Sequence, residues 1–228
     1  MTVSRLIRRA SAALLLVSAA AALAWYAGRH WAPSRERYPV QGLDLSEVDG
    51  QVDWKAAKAG GAGFGYIRAS EGASVHDAAF QSNWEGAAAA GVARGAYHVF
   101  SLCSEAAEQA ANHIAIVPRD PAALPPVLVL DFRPGCTARP PRQDLLGRIE
   151  TYIRLIEAHS ERPVMLQLSK AFEAHYRISS AVDRPLWLTG SYLEPDYGTH
   201  PWVMWQANPK REVPGLLSPA GWNVVRPE

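Results

Sequence analysis

Apolar and polar positions alternate in short blocks from about residue 38 onward. Within residues 40–46, Val-Gln-Gly-Leu-Asp-Leu-Ser, a short β-like run ends on the carboxylate of Asp44. A second run, 64–70, ends at Glu71-Gly72, and a third covers 94–100 with Tyr97-His98 near its end. The strongest strand signal is 126–132, Pro-Val-Leu-Val-Leu-Asp-Phe, which is almost wholly apolar before Asp131. That is the pattern of a strand covered on both faces. Further strands are expected at 163–169, 186–191 and 202–207. Helix signals lie between them. Asp53 can cap a helix over 54–59 that stops at Gly60-Gly61. Asp77 can cap a helix reaching Ala90 and closed by Gly91, and Ser104 another reaching Ile116 and closed by Pro118. A long amphipathic helix is expected over 143–159. This alternation predicts an α/β fold with a parallel sheet, closed or nearly closed. The carboxyl ends of parallel strands share one mouth, so the polar residues that finish them converge.

The first 28 residues follow another pattern. Residues 10–28 are apolar and uncharged, preceded by Arg5, Arg8 and Arg9 and followed by Arg29, Arg35 and Arg37. The stretch is long enough to span a bilayer, and the leading arginines favour an N-terminus kept in the cytoplasm. The expected organisation is a signal-anchor over 1–28, a linker over 29–37 and one globular domain over 38–228. Cleavage after Ala22-Leu23-Ala24 is the competing reading, and Arg8-Arg9 also admits a twin-arginine route. Each of these places the globular part outside the cytoplasm, tethered to the membrane or secreted.

Export changes the meaning of the two cysteines. In an oxidising compartment, Cys103 and Cys136 read as a disulfide; each follows a predicted strand end, so they can meet at the mouth. Two buried free thiols are the alternative. No Cys or His has ligand spacing nearby, so no metal is expected. With 228 residues, a net charge of +1 and 48% hydrophobic residues, the chain suits one sizeable core and offers no nucleic-acid surface. No cofactor is expected, since Gly60-Gly61-Ala62-Gly63 lacks the Lys-Ser/Thr of a phosphate loop. A monomer is the expectation. Eight tryptophans divide between core packing and rings that stack on sugars; Trp187, Trp202 and Trp205 are the candidates.

Several blocks together resemble glycoside hydrolase family 25, the Chalaropsis-type lysozymes that cleave peptidoglycan between N-acetylmuramic acid and N-acetylglucosamine. They are Gly42-Leu43-Asp44-Leu45-Ser46, Val52-Asp53-Trp54, Ala69-Ser70-Glu71-Gly72 with Asp77, Phe80 and Asn83, Gly95-Ala96-Tyr97-His98, Gln109-Ala110, Leu124-Pro125-Pro126-Val127 and Trp205-Gln206. The resemblance runs from Val40 to about Val225. It implies a modified, flattened (β/α) barrel, TIM-barrel-like, with a glycan cleft at the strand carboxyl ends. The candidate substrate contacts are Glu71, Tyr97, His98, Trp187, Trp205 and Gln206. Glu71 has a structural alternative as an ion pair with Arg68 or another base, and His98 one as a satisfied buried imidazole.

The family's catalytic strand reads Asp-x-Glu, two acids on one face because side chains alternate with period two. One protonates the glycosidic oxygen, and the other stabilises charge at the anomeric carbon. Ungapped anchoring on Pro125-Pro126-Val127 and Cys136 places the Glu position on Asp131 and the Asp position on Val129. The rival register makes Asp131 the Asp and puts Arg133 in place of the Glu. Either register breaks the pair. In the first, the acid is shorter by one C–C bond, about 1.5 Å, and misplacement near 1 Å can cost on the order of 100-fold in rate. In the second, the proton donor becomes a guanidinium that cannot act as an acid. Near the end, the family's Val-Asp-Leu-Asn is here Ala220-Gly221-Trp222-Asn223, so Gly221 stands where an acid is usual. Of the family's four acids, Asp44 remains and Asp131 is a partial match. The sequence therefore points to a domain that binds peptidoglycan or a related amino-sugar glycan with weak or absent hydrolysis. The alternatives are an active muramidase with an altered acid cluster and a non-catalytic structural or partner-binding domain.

Overall fold

The computed structural model describes residues 3–227. Its elements are α1 (Val3–His30), β1 (Gln41–Leu45), α2 (Trp54–Ala59), β2 (Phe64–Glu71), β3 (Val75–His76), α3 (Phe80–Ala89), β4 (Ala93–Val99), α4 (Ala106–Ile116), β5 (Val127–Leu130), α5 (Arg142–Ser160), β6 (Met165–Leu168), α6 (Lys170–Tyr176), β7 (Leu186–Thr189), β8 (Met204–Arg211) and β9 (Ala220–Val225). The sheet order is β1-β9-β8-β7-β6-β5-β4-β2-β3, and β1 also pairs with β2. The sheet thus closes on itself into an eight-stranded barrel, with β3 paired outside the ring. From β1 round to β8 through β2 and β4 every pairing in the ring is parallel. The expectation of a parallel sheet is corrected at two places: β9 runs antiparallel to both β8 and β1 and closes the ring, and β3 pairs antiparallel with β2 outside it.

Strand alternation sorts the core into an inner and an outer layer. Phe64, Tyr66, Tyr97, Val99, Val127, Met165, Trp187 and Met204 fill the barrel interior. The alternate positions, such as Leu128, Leu166, Leu188 and Trp205, face outward into a second cluster with α4, α5 and α6. The helical cover is incomplete. Five helices lie between successive strands as far as β7, but β7, β8 and β9 follow one another with no helix between them.

Local chemistry sets the element limits. Asp53 caps α2 as expected, accepting from the N–H groups of Lys55 and Ala56 at 3.1 Å each. Ser104 does not cap α4. That helix begins after Glu105 with no side-chain cap, and the Ser104 carbonyl instead accepts from Gln109 Nε2 at 3.0 Å. The fifth strand is shorter than the apolar run 126–132. Asp131 Oδ1 accepts the next residue's N–H, on Phe132, at 2.8 Å, which takes that donor out of the strand ladder.

α1 stands away from the barrel. Residues 11–27 are exposed, and Ser11–His30 is long and apolar enough to cross a membrane by length and composition. Its last turn is gripped by β8. Asn208 Nδ2 donates to the carbonyls of Gly28 and Trp31, both at 2.9 Å, the Glu212 N–H donates to the Arg29 carbonyl at 2.8 Å, and Arg29 Nη2 pairs with Glu212 Oε1 at 2.7 Å. These bonds occupy carbonyls that a helix end leaves without partners. Residues 29–37, expected as a linker, lie against the barrel wall: Trp31 meets Trp205 and Tyr192 edge-on, and Tyr38 packs on Trp202 and Trp205.

Candidate active site

The carboxyl ends of the parallel strands open into two cavities that share Ser46 and Tyr97 in their walls. The first, of about 240 Å³, is bordered by Arg68 of β2, Tyr97 and Val99 of β4, Val129, Asp131 and Arg133 at the end of β5, Gln167 and Ser169 at β6, Thr189 of β7 and Gln206 of β8. Most of these positions are separated by two residues along their strands, as one inward face requires. The second, of about 360 Å³, is bordered by Asp44, Asp49, Tyr97, Lys210, Gly221 and Arg29 at the end of α1.

Asp44 lies between β2 and β9, with Gly221 directly opposite on β9. Its Oδ1 accepts from Gln206 Nε2 at 2.9 Å and from Asn223 Nδ2 at 2.7 Å. Burial pushes the Asp44 carboxyl above the usual carboxylate range; the two amide donors, Asn223 and then Gln206, oppose this, and the negative charge of Asp49 adds to it. A Cβ on Gly221 would overlap Asp44 Oδ1 and fall 2.7 Å from Gln206 Nε2. The surviving carboxylate has therefore taken the space in which a side chain at 221 would begin. Asn223 is fully buried, and its Oδ1 has no partner among the described residues.

Asp131 borders the first cavity but is held at its wall. Ser169 Oγ donates to Asp131 Oδ1 at 2.6 Å, and the same hydroxyl accepts the Phe172 N–H at the start of α6 at 3.2 Å. Val129, two residues earlier, presents an apolar side chain to the same cavity. Glu71 ends β2 between two arginines: Oε2 accepts from Arg68 Nη1 and Oε1 from Arg133 Nε, each at 3.3 Å. Arg68 also binds Asp77 at 3.1 Å. Glu71 thus joins β2 to the loop after β5, in the structural arrangement left open for it by the sequence.

Three residues expected at the cleft lie elsewhere. His98 is fully buried. It alternates with Tyr97 and so faces out of the barrel, stacked on Tyr152 at 5.1 Å between ring centroids. Its Nδ1 meets Ser70 Oγ at 2.8 Å and its Nε2 meets Gln109 Oε1 at 3.2 Å. The Gln109 oxygen accepts at Nε2, which assigns the ring proton to Nε2 and makes Nδ1 the acceptor. Burial lowers the His98 pKa to about 4. Trp205 also faces outward, with Nε1 donating to the Gly190 carbonyl at 2.8 Å. Trp187 faces inward but lies one layer beneath the mouth at 0% exposure, against Tyr66. Tyr97 and Gln206 do reach the cavities. Residues that reach them without having been foreseen are Gln167, Ser169 and Thr189; their sign was a polar residue at the inward parity of a strand end.

Cys103 and Cys136 form a disulfide with Cα atoms 5.9 Å apart, joining the loop after β4 to the loop after β5. The second loop carries Asp131 and Arg133. Among the described residues there is no cluster of three or more potential metal ligands.

This barrel, with its mouth at the strand carboxyl ends and Asp44 on the first strand, has close counterparts. The family model "Glycosyl hydrolases family 25" matches residues 43–216. The chain belongs to glycosyl hydrolase family 25. A family 25 glycosyl hydrolase structure from Bacillus anthracis superposes with a TM-score of 0.79 at 26% identity, covering 88% of this chain and 94% of that one. "Lysozyme M1" of Streptomyces globisporus is 35% identical over 100 residues, 42% of this chain and 34% of its own. "Uncharacterized protein YegX" of Escherichia coli K12 is 27% identical over 194 residues, 82% of this chain and 70% of its own. Family 25 consists of lysozyme-like cell-wall hydrolases that act on peptidoglycan outside the cytoplasm.

Proposed function

We propose that this family 25 member is a membrane-tethered, extracytoplasmic domain that binds peptidoglycan or a related amino-sugar glycan and hydrolyses it weakly or not at all. One observation carries the reading: among the described residues, the cavity at the strand ends has no pair of free, facing carboxylates. Val129 supplies a hydrocarbon surface, Asp131 is drawn to Ser169, and Gly221 supplies no side chain. Glycoside hydrolysis needs one group to protonate the leaving oxygen and another to meet the positive charge that develops on the sugar. Binding needs less. Gln167, Gln206, Tyr97, Thr189 and Ser169 offer amide and hydroxyl groups suited to sugar hydroxyls and acetamido groups.

The test is restoration. Val129→Asp with Asp131→Glu should raise the release of reducing ends from peptidoglycan by at least about 100-fold, the scale on which a misplaced group costs rate. Each change alone should do little, since groups that act as a unit are non-additive. Gly221→Asp joins them as a third change that first displaces the Asp44 carboxylate, so the double variant is the cleaner one. Pulldown on insoluble peptidoglycan should be retained by all variants. A double variant that folds and binds but gains no activity would sink the reading of Val129 and Asp131 as the altered acid positions.

A second reading, residual hydrolysis, is favoured by the place of Asp44, which borders the second cavity at the strand ends and whose burial pushes its carboxyl above the usual carboxylate range. A carboxyl that keeps its proton longer is a better general acid. Any native activity should then vanish in Asp44→Asn and survive in Asp131→Asn.

A further inference from the structure

The second cavity has an unusual wall. Arg29 borders it together with Asp44, Asp49 and Lys210, yet Arg29 belongs to α1 and follows the apolar stretch 10–28 directly. No flexible residue separates that stretch from the cavity. The last turn of α1 is held to β8 by Asn208, by the Glu212 N–H and by the Arg29–Glu212 pair. A helix rises 1.5 Å per residue, so Arg29 lies within about one turn, roughly 5 Å, of the end of the apolar stretch. A free linker of nine residues would instead have let the cleft roam up to about 30 Å. Of the two basic residues on the wall nearest the helix, Arg29 is already paired with Glu212, while Lys210 makes no ion pair among the described residues and is the one free to meet an anion. Cations near a bilayer surface favour phosphate.

We infer that this cleft takes amino-sugar glycan that is itself membrane-linked, a strand still joined through a phosphate or pyrophosphate to a lipid in the same bilayer. The inference rests on the proposed glycan-binding reading with a retained anchor, and it names the form of glycan. The sugar end lies over Asp44 and the amide groups beside it, while the phosphate end lies toward Lys210 and the lipid surface. The docked helix end fixes the height and the direction of the cleft, so the domain is positioned for glycan at the membrane surface and poorly placed for a wall layer at a distance.

The test uses the full chain in lipid nanodiscs and two probes: a fluorescent tetrasaccharide of alternating N-acetylglucosamine and N-acetylmuramic acid joined by pyrophosphate to a polyprenyl lipid in the same disc, and the same tetrasaccharide free in solution. A variant with twenty Gly/Ser residues inserted between Ala27 and Gly28 unties the domain from the span and leaves residues 28–228 unaltered. The native chain should bind the lipid-linked probe at least about tenfold better than the free one. The insertion should remove most of that advantage, because a flexible tether of this length wanders over about 25 Å, and should leave binding of the free probe unchanged. Equal binding of both probes by the native chain would overturn the inference and leave the glycan-binding reading standing, as would an advantage that survives the insertion. Binding of neither probe by either protein would overturn both.

Discussion

Single residues in this barrel are explained by strand parity and depth, and the two have different consequences. His98 illustrates parity. It neighbours Tyr97, so it must point to the other side of β4, and there it is buried and neutral. Its folded pKa of about 4 lies below the ordinary value near 6.5. The unfolded chain therefore takes up a proton across that interval and the folded chain does not. The stability associated with neutral His98 is complete above pH 6.5 and is lost as pH falls toward 4, by about 3 kcal/mol in all. His113, also buried and lowered, acts in the same direction. Urea unfolding at pH 7.0 and 4.5 should show native stability falling with pH, and His98→Gln should flatten that fall while lowering stability at pH 7.0. Equal slopes for the two proteins would refute the burial argument. Trp187 illustrates depth: it has the inward parity of the site residue Thr189 but lies one layer lower. Asp44 was legible in the sequence because its motif places it at the inward end of β1. For His98 the buried-imidazole alternative and for Trp205 the core-packing alternative are the ones the structure realises, because both lie on the outward face of their strands. That Asp44 leans over Gly221 was not legible, since it depends on the antiparallel register of β9 with β1.

Among the elements, those with strong local signals were readable and those made by tertiary pairing were not. α2 has its Asp53 cap and α5 its long amphipathic period. The segment Ala-Gly-Trp-Asn-Val-Val becomes β9 only because β1 and β8 both offer open edges to it. α6 is short, and its start depends on Ser169, which Asp131 orients across the barrel mouth. The disulfide was legible from compartment and strand ends, and its placement gives it an element-scale effect. It ties the loop after β4 to the loop after β5, across a separation of 33 residues. Loop closure of that size stabilises by about 3 to 4 kcal/mol in the chain-entropy model. Cys103→Ser with Cys136→Ser should lower stability by that order. Because the second loop carries Asp131 and Arg133, the same change should weaken glycan retention more than stability loss alone explains, when both proteins are assayed well below their unfolding temperatures. An unchanged unfolding midpoint would show that the link adds nothing to the native state.

At the scale of the whole molecule, the chain is one barrel whose mouth is bounded at one side by the end of an apolar helix. Most of the fold follows from alternation of strand and helix, and the exception is the closing strand. β9 is the last strand in chain order, and it is paired on one side with β8 and on the other with β1, whose residues lie some 180 positions earlier in the sequence. The ring is thus a clasp between distant ends. A growing chain cannot fasten it until residue 225 is free, and until then two sheet edges, of β1 and β8, stay open to other chains. Contacts of such sequence separation also form slowly. Termination after Pro219 should therefore yield a protein that aggregates or is degraded, as measured by its soluble yield and protease resistance. A soluble, compact truncated form would show that the remaining strands hold without their clasp. Closure of this barrel is in this sense an all-or-nothing event, and the exposure of its unpaired edges to other chains is concentrated in the interval before β9 arrives.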